Sequence, residues 1–387
     1  MGITIGLVGA GQFAPQFAPL FKRHPDVDGV VVTDVLPERA NALAESEQLD
    51  GTVESFDALL RSSCDAVAIF TQRWTHGPLV LEALRAGKHV YSTVPMAFTT
   101  EEIVEIVDQV ASTGLTYMMG ETSYYNPAAV YARQRLAAGD FGKVFYAEGD
   151  YVHDMDIGFY DAYKYSGGEN WKATASFPPM QYPTHATGGV LSVLPAHVIS
   201  VSCLGVHDDL GDGVFDKDVS MFGNDFSNAT ALFELSDGGI MRTNEMRRVG
   251  YPSMIRESRF RFFGTKGSFE QLATVSVWQD KEKVTDVSEL LATSAAETGA
   301  NRAGHARIHD TSRLPASYEG LPNGHEGAHH FLADDFVRSV VTGGLPPVNA
   351  WAAARYTLPG IVAHQSAQQG GARLPVLDLG GPPEQAQ

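Results

Sequence analysis

The chain has little cysteine and little positive charge, and both shortages exclude classes of protein. With only Cys64 and Cys203 among 387 residues it cannot build a disulfide scaffold, so we expect a reduced, cytoplasmic protein. Basic side chains number 28 against 46 acidic ones, which gives a net charge of −18. Nucleic acid and anionic membrane surfaces both require a basic face, so neither is the expected partner.

Long apolar runs are missing as well. No stretch approaches the roughly 18 uninterrupted apolar residues of a membrane-spanning helix. The first six residues also lack the charged head and apolar core of a signal peptide. The length exceeds one typical core and predicts two domains, residues 1–123 and 124–387.

The first domain alternates short apolar runs with amphipathic stretches. These apolar runs are continuous, as in the strands of a parallel sheet that is covered on both faces. The pattern predicts an α/β fold with a doubly wound parallel sheet. The predicted strands cover residues 3–9, 27–34, 66–71, 88–93 and 115–120, and the predicted helices cover 14–21, a segment from Glu38, 78–86 and 101–112.

From about residue 123 the pattern changes to period-two alternation with hairpin turns such as 236–239. This part predicts an α+β domain with an open, mainly antiparallel sheet. Residues 281–319 are polar and weakly periodic, which indicates irregular structure. The predicted strands cover 143–153, 229–235, 239–245, 259–264 and 268–271, and the predicted helices 128–138, 328–341 and 350–364.

A glycine-rich turn, Gly-Ala-Gly-Gln-Phe-Ala, follows the first strand and opens a helix. It fits G-x-G-x-x-[GA], and this strand–turn–helix setting is typical of a dinucleotide site in a Rossmann fold. The first glycine permits the tight turn, the second lets the backbone approach a pyrophosphate, and the next two amides point at the phosphates. The residues expected to contact the cofactor here are Gly9, Ala10, Gly11, Gln12 and Phe13.

An acidic residue, Asp34, ends the second predicted strand. A carboxylate at this place accepts hydrogen bonds from the adenosine ribose and repels a 2′-phosphate. We therefore predict NAD as the cofactor. Arg39 lies close enough in sequence to keep NADP as an alternative.

Three further segments carry a family resemblance. Residues 65–71 read Asp-Ala-Val-Ala-Ile-Phe-Thr, residues 86–90 read Ala-Gly-Lys-His-Val, and a glycine-led segment runs from 188 to His197. Together they resemble the Gfo/Idh/MocA family, the glucose–fructose oxidoreductase and inositol dehydrogenase group. The resemblance implies redox chemistry on sugars or polyols, and a homodimer or homotetramer formed through the C-terminal sheet. It also implies that His197 is a catalytic residue, with a core histidine as the alternative.

The chain departs from the family where Glu-Lys-Pro is expected and Thr93-Val94-Pro95 stands instead. Oxidation of a hydroxyl needs a base for its proton, and Val94 cannot supply one. The segment Tyr-Pro-Thr-His that ends at His185 resembles NAD-dependent α-N-acetylgalactosaminidases, which cleave glycosides through transient oxidation. It implies His185 as the catalytic base with Tyr182 beside it, and a structural histidine that caps a loop is the alternative.

Polar and aromatic residues complete the candidate site. Those that follow the last strand of the first sheet are expected there because ligands bind such sheets at that edge, and the others because polar and aromatic side chains suit the hydroxyls and ring faces of a sugar. Solvation of an edge strand, or burial in the case of the tryptophan, is the alternative for some of them. The additional cofactor contacts predicted are Thr71, Gln72, His76, Thr93, Val94, Pro95 and Glu121. The predicted carbohydrate contacts are Tyr125, Asn126, His153, Asp156, Trp171 and His329.

Residues 325–329 match H-E-x-x-H, the pattern of zinc proteases, but no metal site is predicted there. Gly327 interrupts the pattern, so the helix is expected to start near Ala328 and to carry only one of the two histidines. The sequence as a whole predicts an oxidoreductase that moves a hydride between a nicotinamide cofactor and a sugar, sugar derivative or glycoside. The alternatives are an NAD-retaining, redox-cycling glycosidase or lyase, and a catalytically silent nucleotide or sugar sensor.

Overall fold

The computed structural model describes residues 2–250, 255–293 and 304–383. Its first sheet has six parallel strands in the order β3-β2-β1-β4-β5-β6, which is the Rossmann arrangement predicted. The strands are β1 Ile3–Val8, β2 Val27–Thr33, β3 Gly51–Thr52, β4 Ala66–Ile69, β5 His89–Ser92 and β6 Tyr117–Met119. The helices that connect them are α1 Ala18–Arg23, α2 Pro37–Ser46, α3 Phe56–Arg61, α4 His76–Arg85 and α5 Thr100–Thr113.

The second sheet has nine strands in the order β14-β13-β12-β11-β7-β10-β9-β8-β15, and only β7 and β10 pair in parallel. Its strands are β7 Val144–Val152, β8 Val198–His207, β9 Phe226–Leu235, β10 Ile240–Met246, β11 Ser258–Gly264, β12 Gly267–Gln271, β13 Ser276–Asp280, β14 Val284–Asp286 and β15 Leu374–Pro375. The helices of this half are α6 Pro127–Ala137, α7 Tyr160–Gly167, α8 Trp171–Ala175, α9 Thr184–Leu191, α10 Ser288–Leu291, α11 Ala328–Thr342 and α12 Ala350–Gln368.

The helix predicted after the glycine turn is shorter than expected. Residues Ala14–Gln16 form a 3₁₀ turn, and α1 begins only at Ala18. Pro19 in the first turn of α1 has no N–H to donate, and its ring would collide with a preceding helical carbonyl. The α-helix therefore cannot extend back to residue 14.

Two other predictions need correction. The glycine-led segment, which resembles a helix of the family that carries a functional histidine, is helical only as far as Leu191, so His197 lies beyond α9 and just before β8. The segment 281–319, predicted to be irregular, contains β14 and α10, while its part 294–303 lies outside the described residues.

Helix α11 belongs to the last third of the chain, yet it packs on the first sheet. Buried Leu332 and Phe336 share one core with Phe17, Phe21 and Tyr91. The ring centroids of Phe21 and Phe336 lie 6.3 Å apart, and those of Tyr91 and Phe336 lie 5.6 Å apart. The division of the chain at residue 123 stays a prediction, and the core of the first sheet includes residues from beyond it.

Candidate functional site

A cavity of about 750 Å³ runs from the glycine turn, along the carboxyl edge of the first sheet, to helix α9 and the second sheet. Its volume suits a drug-sized or cofactor-sized ligand. It brings together many of the residues predicted from the sequence. These are Gly9, Gly11, Gln12, Phe13, Asp34, Thr71, Gln72, Thr93, Val94, Asn126, His153, Tyr182 and His185.

The glycine turn has the geometry that a dinucleotide requires. Gly9 has a φ of +92°, and a Cβ there would lie 2.9 Å from the carbonyl oxygen of Phe70, so a side chain is excluded. A Cβ on Gly11 would meet no atom of the described residues within 4 Å, because this position opens into the cavity. The backbone at Gly11 can therefore approach a ligand closely.

The carboxylate of Asp34 lines the cavity at the end of β2 and holds the glycine turn in place. It accepts the N–H of Ala10 at 2.6 Å and that of Leu36 at 2.8 Å. Ala10 does not line the cavity, and its contribution to the site is the hydrogen bond that its N–H donates to Asp34. Close by, the side-chain Oε1 of Gln16 is buried and has no hydrogen-bond partner among the described residues. An unsatisfied buried acceptor in the cavity wall fits a site built for a polar ligand.

The side chain of Arg39 makes a contact with Tyr165 across the cavity. Its guanidinium donates to the carbonyl oxygen of Tyr165 at 2.8 Å and lies 4.1 Å from the centre of the Tyr165 ring. Tyr165 belongs to α7, in the second half of the chain, so this contact joins the two halves beside Asp34. This contact engages one N–H group of the Arg39 guanidinium at this end of the cavity.

His76 does not line the cavity but holds the loop that does. Its Nδ1 lies 2.8 Å from the carbonyl oxygen of Pro95, and its Nε2 lies 3.2 Å from the hydroxyl of Thr93. Burial lowers the pKa of His76 to about 4, so the ring is neutral at pH 7. The peptide bond between Val94 and Pro95 is cis, and Val94 faces the cavity from this loop while Pro95 does not.

His185 stands on α9 between a carboxylate and a phenol. Its Nδ1 lies 2.8 Å from Oε1 of Glu121, and its Nε2 lies 3.2 Å from the hydroxyl of Tyr182. Glu121, predicted as a cofactor contact, is instead fully buried behind His185. Burial alone would raise the pKa of Glu121, but the charge and hydrogen bond of His185 outweigh it and the pKa is lowered.

Glycine residues let α9 pack closely on the second sheet, which places His185 at the cavity. A Cβ at Gly149 of β7 would lie 2.3 Å from the carbonyl oxygen of Ala186, and a Cβ at Gly189 would lie 2.0 Å from the ring of Phe260. Both positions are closed to any side chain. The helix therefore rests directly on β7 and β11, which fixes the height of His185 above the sheet.

Several residues of the cavity wall were missed in the sequence analysis, among them Arg73 and Tyr151. The guanidinium of Arg73 lies 4.3 Å from the centre of the Tyr182 ring and donates to the hydroxyl of Tyr163 at 2.6 Å. The ring of Tyr151, on β7, packs against His185 in a tilted arrangement with ring centroids 4.7 Å apart. Burial raises the pKa of Tyr182, and the positive charge of Arg73 works in the opposite direction. Arg73 could have been suspected from its position next to Gln72, whereas Tyr151 had no local signal.

Among the predicted carbohydrate contacts, Asn126 and His153 do line the cavity. The amide of Asn126 donates to the carboxylate of Glu326. The ring of His153 stacks on Phe159 at 3.9 Å, and burial lowers its pKa to about 3. Both side chains present polar atoms within reach of ligand hydroxyls.

The remaining predicted residues lie elsewhere. The hydroxyl of Tyr125 is held by Asp335 and Arg313 outside the cavity. Asp156 is exposed, and Trp171 packs against Tyr160. His197 lies 3.7 Å from Asp378 at the start of β8, so its position gives a catalytic role no support. The residues predicted from sequence that do not line the cavity are Ala10, His76, Pro95, Glu121, Tyr125, Asp156, Trp171, His197 and His329.

The H-E-x-x-H segment folds as the sequence predicted, with α11 beginning at Ala328. Nδ1 of His325 and Nε2 of His329 lie 2.8 Å apart and bond to each other. Within the described ranges, no group of three or more metal-ligating side chains could hold an ion. In the same part of the chain, no helix is long and apolar enough to cross a membrane.

Comparison with known proteins supports the resemblance drawn from the sequence. Residues 3–121 match the GFO_IDH_MocA model, described as an oxidoreductase family with an NAD-binding Rossmann fold. A levoglucosan dehydrogenase structure, a complex with NADH and levoglucosan, aligns over 97% of this chain and 100% of its own with a TM-score of 0.73 and 16% identity. That likeness confirms the fold of both halves.

Curated relatives match a shorter stretch. Two proteins of Bacteroides fragilis, named Glycosyl hydrolase family 109 protein 2 and Alpha-N-acetylgalactosaminidase, are each 35% identical over 140 residues. The match covers 35% of this chain and 33% of each relative. The chain therefore aligns with about one third of the length of these two relatives.

Proposed function

We propose that the protein is an NAD-dependent oxidoreductase that acts on a hydroxyl-bearing carbon of a carbohydrate. The observation that carries this proposal is the chain of Glu121, His185 and Tyr182 at one end of a cavity whose other end is a dinucleotide-binding turn. Proton handling at a hydroxyl and binding of a nicotinamide cofactor are the two requirements of such an oxidation.

The cofactor end of the cavity fits NAD. The open backbone at Gly11 suits a pyrophosphate, Asp34 suits the ribose hydroxyls, and the unpaired Oε1 of Gln16 offers a further acceptor. When bound, NAD supplies an acceptor for the hydride that leaves the carbon. The carboxylate of Asp34 disfavours the extra phosphate of NADP by charge repulsion, and the contact with Tyr165 uses one of the N–H groups with which Arg39 could bind it.

The hydrogen bonds of His185 determine which of its nitrogens can accept a proton. In the neutral form of the His185 ring, which is the form that can act as a base, Nδ1 carries the hydrogen toward the carboxylate of Glu121 and Nε2 carries the lone pair. The hydroxyl of Tyr182 donates to that lone pair. As the ligand hydroxyl is oxidised, Tyr182 takes its proton and passes its own to Nε2. Glu121 stabilises the imidazolium that results.

The other end of the cavity suits a sugar. Tyr151 and Phe159 offer flat apolar surface, and Asn126, His153 and Glu257 offer polar atoms in the same wall. Sugars present this combination of apolar ring faces and hydroxyl edges. The proteins that the chain resembles in fold or sequence include a levoglucosan dehydrogenase and an Alpha-N-acetylgalactosaminidase, which also supports a carbohydrate ligand.

A second candidate is a glycosidase or lyase that keeps its NAD and uses it in a redox cycle. The contact between Arg39 and Tyr165 favours it, because α7 then covers the cavity beside Asp34 and slows exchange of the cofactor. The names of the curated relatives favour it as well. Val94 in place of the family lysine is compatible with both candidates.

One experiment separates these functions. The purified protein is denatured and its bound nucleotide identified, and fresh protein is then assayed with free sugars plus NAD and with nitrophenyl glycosides. NADH that accumulates with a free sugar supports the dehydrogenase. Release of nitrophenol without net NADH supports the glycosidase. Bound NAD with no hydride exchange on any carbohydrate would leave only the silent sensor and would overturn the proposal.

We also propose that the protein forms a homodimer or homotetramer through the second sheet. Apolar side chains on this sheet are unusually exposed, with Leu204 at 65%, Leu232 at 52% and Phe145 at 51%. Exposed apolar surface on a sheet favours association. Light scattering after size exclusion gives the mass directly, and a monomer of 41.7 kDa at micromolar concentration would exclude this assembly.

A further inference from the structure

The segment before α11 has an unusual backbone. His325, Glu326 and Gly327 have φ values of +47°, +56° and +96°, so three consecutive residues are left-handed. Only the third is glycine, and side chains with a Cβ rarely adopt this conformation. Both His325 and Glu326 line the cavity. Backbone strain of this kind is concentrated at functional sites, where the surrounding structure maintains it.

The imidazole of His325 lies between the cofactor end and the catalytic pair. Its ring centroid is 5.7 Å from that of Phe13 in the glycine turn and 6.2 Å from that of His185. Both neighbours line the same cavity. A group on His325 is therefore close to the place where the oxidised carbon of a ligand must lie.

A backbone N–H determines the protonation of this part of the site. The amide of Gly324 donates to Nδ1 of His329 at 3.2 Å, so Nδ1 is an acceptor. Burial lowers the pKa of His329 well below its ordinary value, and the neutral ring must then carry its hydrogen on Nε2. That hydrogen is donated to Nδ1 of His325 across 2.8 Å.

The same reasoning extends to His325. Its Nδ1 accepts from His329, and burial lowers its own pKa to about 4, so the single hydrogen of the neutral ring is on Nε2. Nδ1 faces His329, which does not line the cavity, and Nε2 is the nitrogen left to face a ligand. His329 itself is fully buried and packs on Phe17 with ring centroids 4.5 Å apart, so it cannot turn away.

We propose that His329 is a positioning residue, which holds His325 as an N–H donor toward an oxygen of the carbohydrate bound beside His185. The proposal rests on the proposed function and adds a second group to it. His185 and Tyr182 take the proton from the hydroxyl, and Nε2–H of His325 stabilises the oxygen as it becomes a carbonyl. Among the charged neighbours, Glu326 is paired with Arg256 and Glu121 with His185. His185 lowers the pKa of His325 and Glu121 raises it, and burial has a larger effect than either.

The first test is spectroscopic and needs no substrate. The protein contains 13 histidines, and the signals of His325 are assigned by comparison with His325→Asn in ¹⁵N-labelled protein. We expect a neutral ring with hydrogen on Nε2 between pH 5.5 and about 8, with or without NAD, since a group of pKa about 4 is uncharged there. A His325 that carries its hydrogen on Nδ1, or that is charged at pH 7, would overturn the proposal.

The second test changes His329, the hydrogen-bond partner of His325. His329→Gln keeps an amide donor for His325 and a carbonyl acceptor for Gly324, whereas His329→Glu offers only acceptors and should move the hydrogen of His325 to Nδ1. We expect His329→Gln to stay within about threefold of wild-type kcat. Loss of one preorganised donor to a developing oxyanion costs about 10²- to 10³-fold, so His329→Glu should lose at least tenfold in kcat with KM little changed.

Two controls keep these results interpretable. His364→Gln alters another buried histidine, on α12 and outside the cavity wall, and should change neither the spectrum of His325 nor kcat. If His329→Glu does not fold, the spectrum of the wild type and the activity of His329→Gln still decide the matter. A wild type inactive on every carbohydrate would refute the proposed function, while the tautomer of His325 would remain a separate and measurable result.

Discussion

Replacing Glu121 by glutamine tests the catalytic chain with a change of few atoms. The amide can still accept from Nδ1–H of His185, but the charge that stabilises the imidazolium is removed. Hydrogen bonds to charged groups contribute about 1.5 to 3 kcal/mol, and each 1.4 kcal/mol is a factor of ten in rate. The 2.8 Å bond between Glu121 and His185 is fully buried, so the upper part of this range applies. We expect kcat to fall about 40- to 150-fold with KM nearly unchanged.

The assay is steady-state turnover of the best carbohydrate found for the wild type, measured from pH 5 to 9. Because the imidazolium loses its counter-charge, the acid limb of the rate profile should move to lower pH. Glu101→Gln is the matched control, since Glu101 is an exposed carboxylate in the first turn of α5. A Glu121→Gln protein with wild-type kcat, or a control that loses as much, would refute the assignment of Glu121 and His185.

Three further predictions concern other parts of the structure. Arg39→Ala removes a hydrogen bond of about 0.5–1.5 kcal/mol and a cation–π contact of about 0.5–1 kcal/mol. Bound NAD should therefore dissociate about 5- to 50-fold faster, as measured by stopped-flow fluorescence. An unchanged dissociation rate would contradict the role of Arg39 in covering the cofactor. Asp34→Ser should weaken the binding of NAD more than that of NADP, because the carboxylate that repels the 2′-phosphate is removed. Calorimetry would measure both affinities, and equal losses would contradict this role of Asp34. His76 and His325 each have a pKa lowered to about 4, so the unfolded chain takes up their protons first as pH falls below about 6.5. The free energy of unfolding is therefore highest above that pH, and it should fall by about 3 kcal/mol for each pH unit of acidification through the two histidines together. Urea unfolding at pH 7 and at pH 5 would measure this loss. An unchanged free energy of unfolding would contradict their burial as neutral rings.

The sequence predicted the elements whose signals are local. The glycine turn, Asp34 and the run Ala-Val-Ala-Ile of β4 are each contained in a few residues, and the structure has them as expected. Pro19 was visible too, yet its effect on the start of α1 was not used. Local patterns were sufficient for five of the six strands of the first sheet, whereas the two-residue strand β3 and the short helix α3 were not predicted.

The site was harder to predict because its contacts join distant residues. Glu121 was expected near the crevice as a cofactor contact. It lies buried against His185, which comes 64 residues later, and sequence spacing gives no sign of this pair. His197 was proposed from a motif, and its position beyond the end of α9 at Leu191 does not support a catalytic role. His325 was considered only as a zinc ligand, and His329 also as a carbohydrate contact. Their mutual bond was not predicted, because it depends on a left-handed turn that sequence patterns do not reveal.

The packing of α11 on the first sheet has a consequence for how the chain is made. During synthesis, the aromatic face formed by Phe17, Phe21 and Tyr91 stays uncovered until Phe336 has left the ribosome. A nascent chain that ends at residue 123 would thus expose this aromatic surface to solvent. A shortened protein designed to bind nucleotide would need α11 attached to it to avoid aggregation.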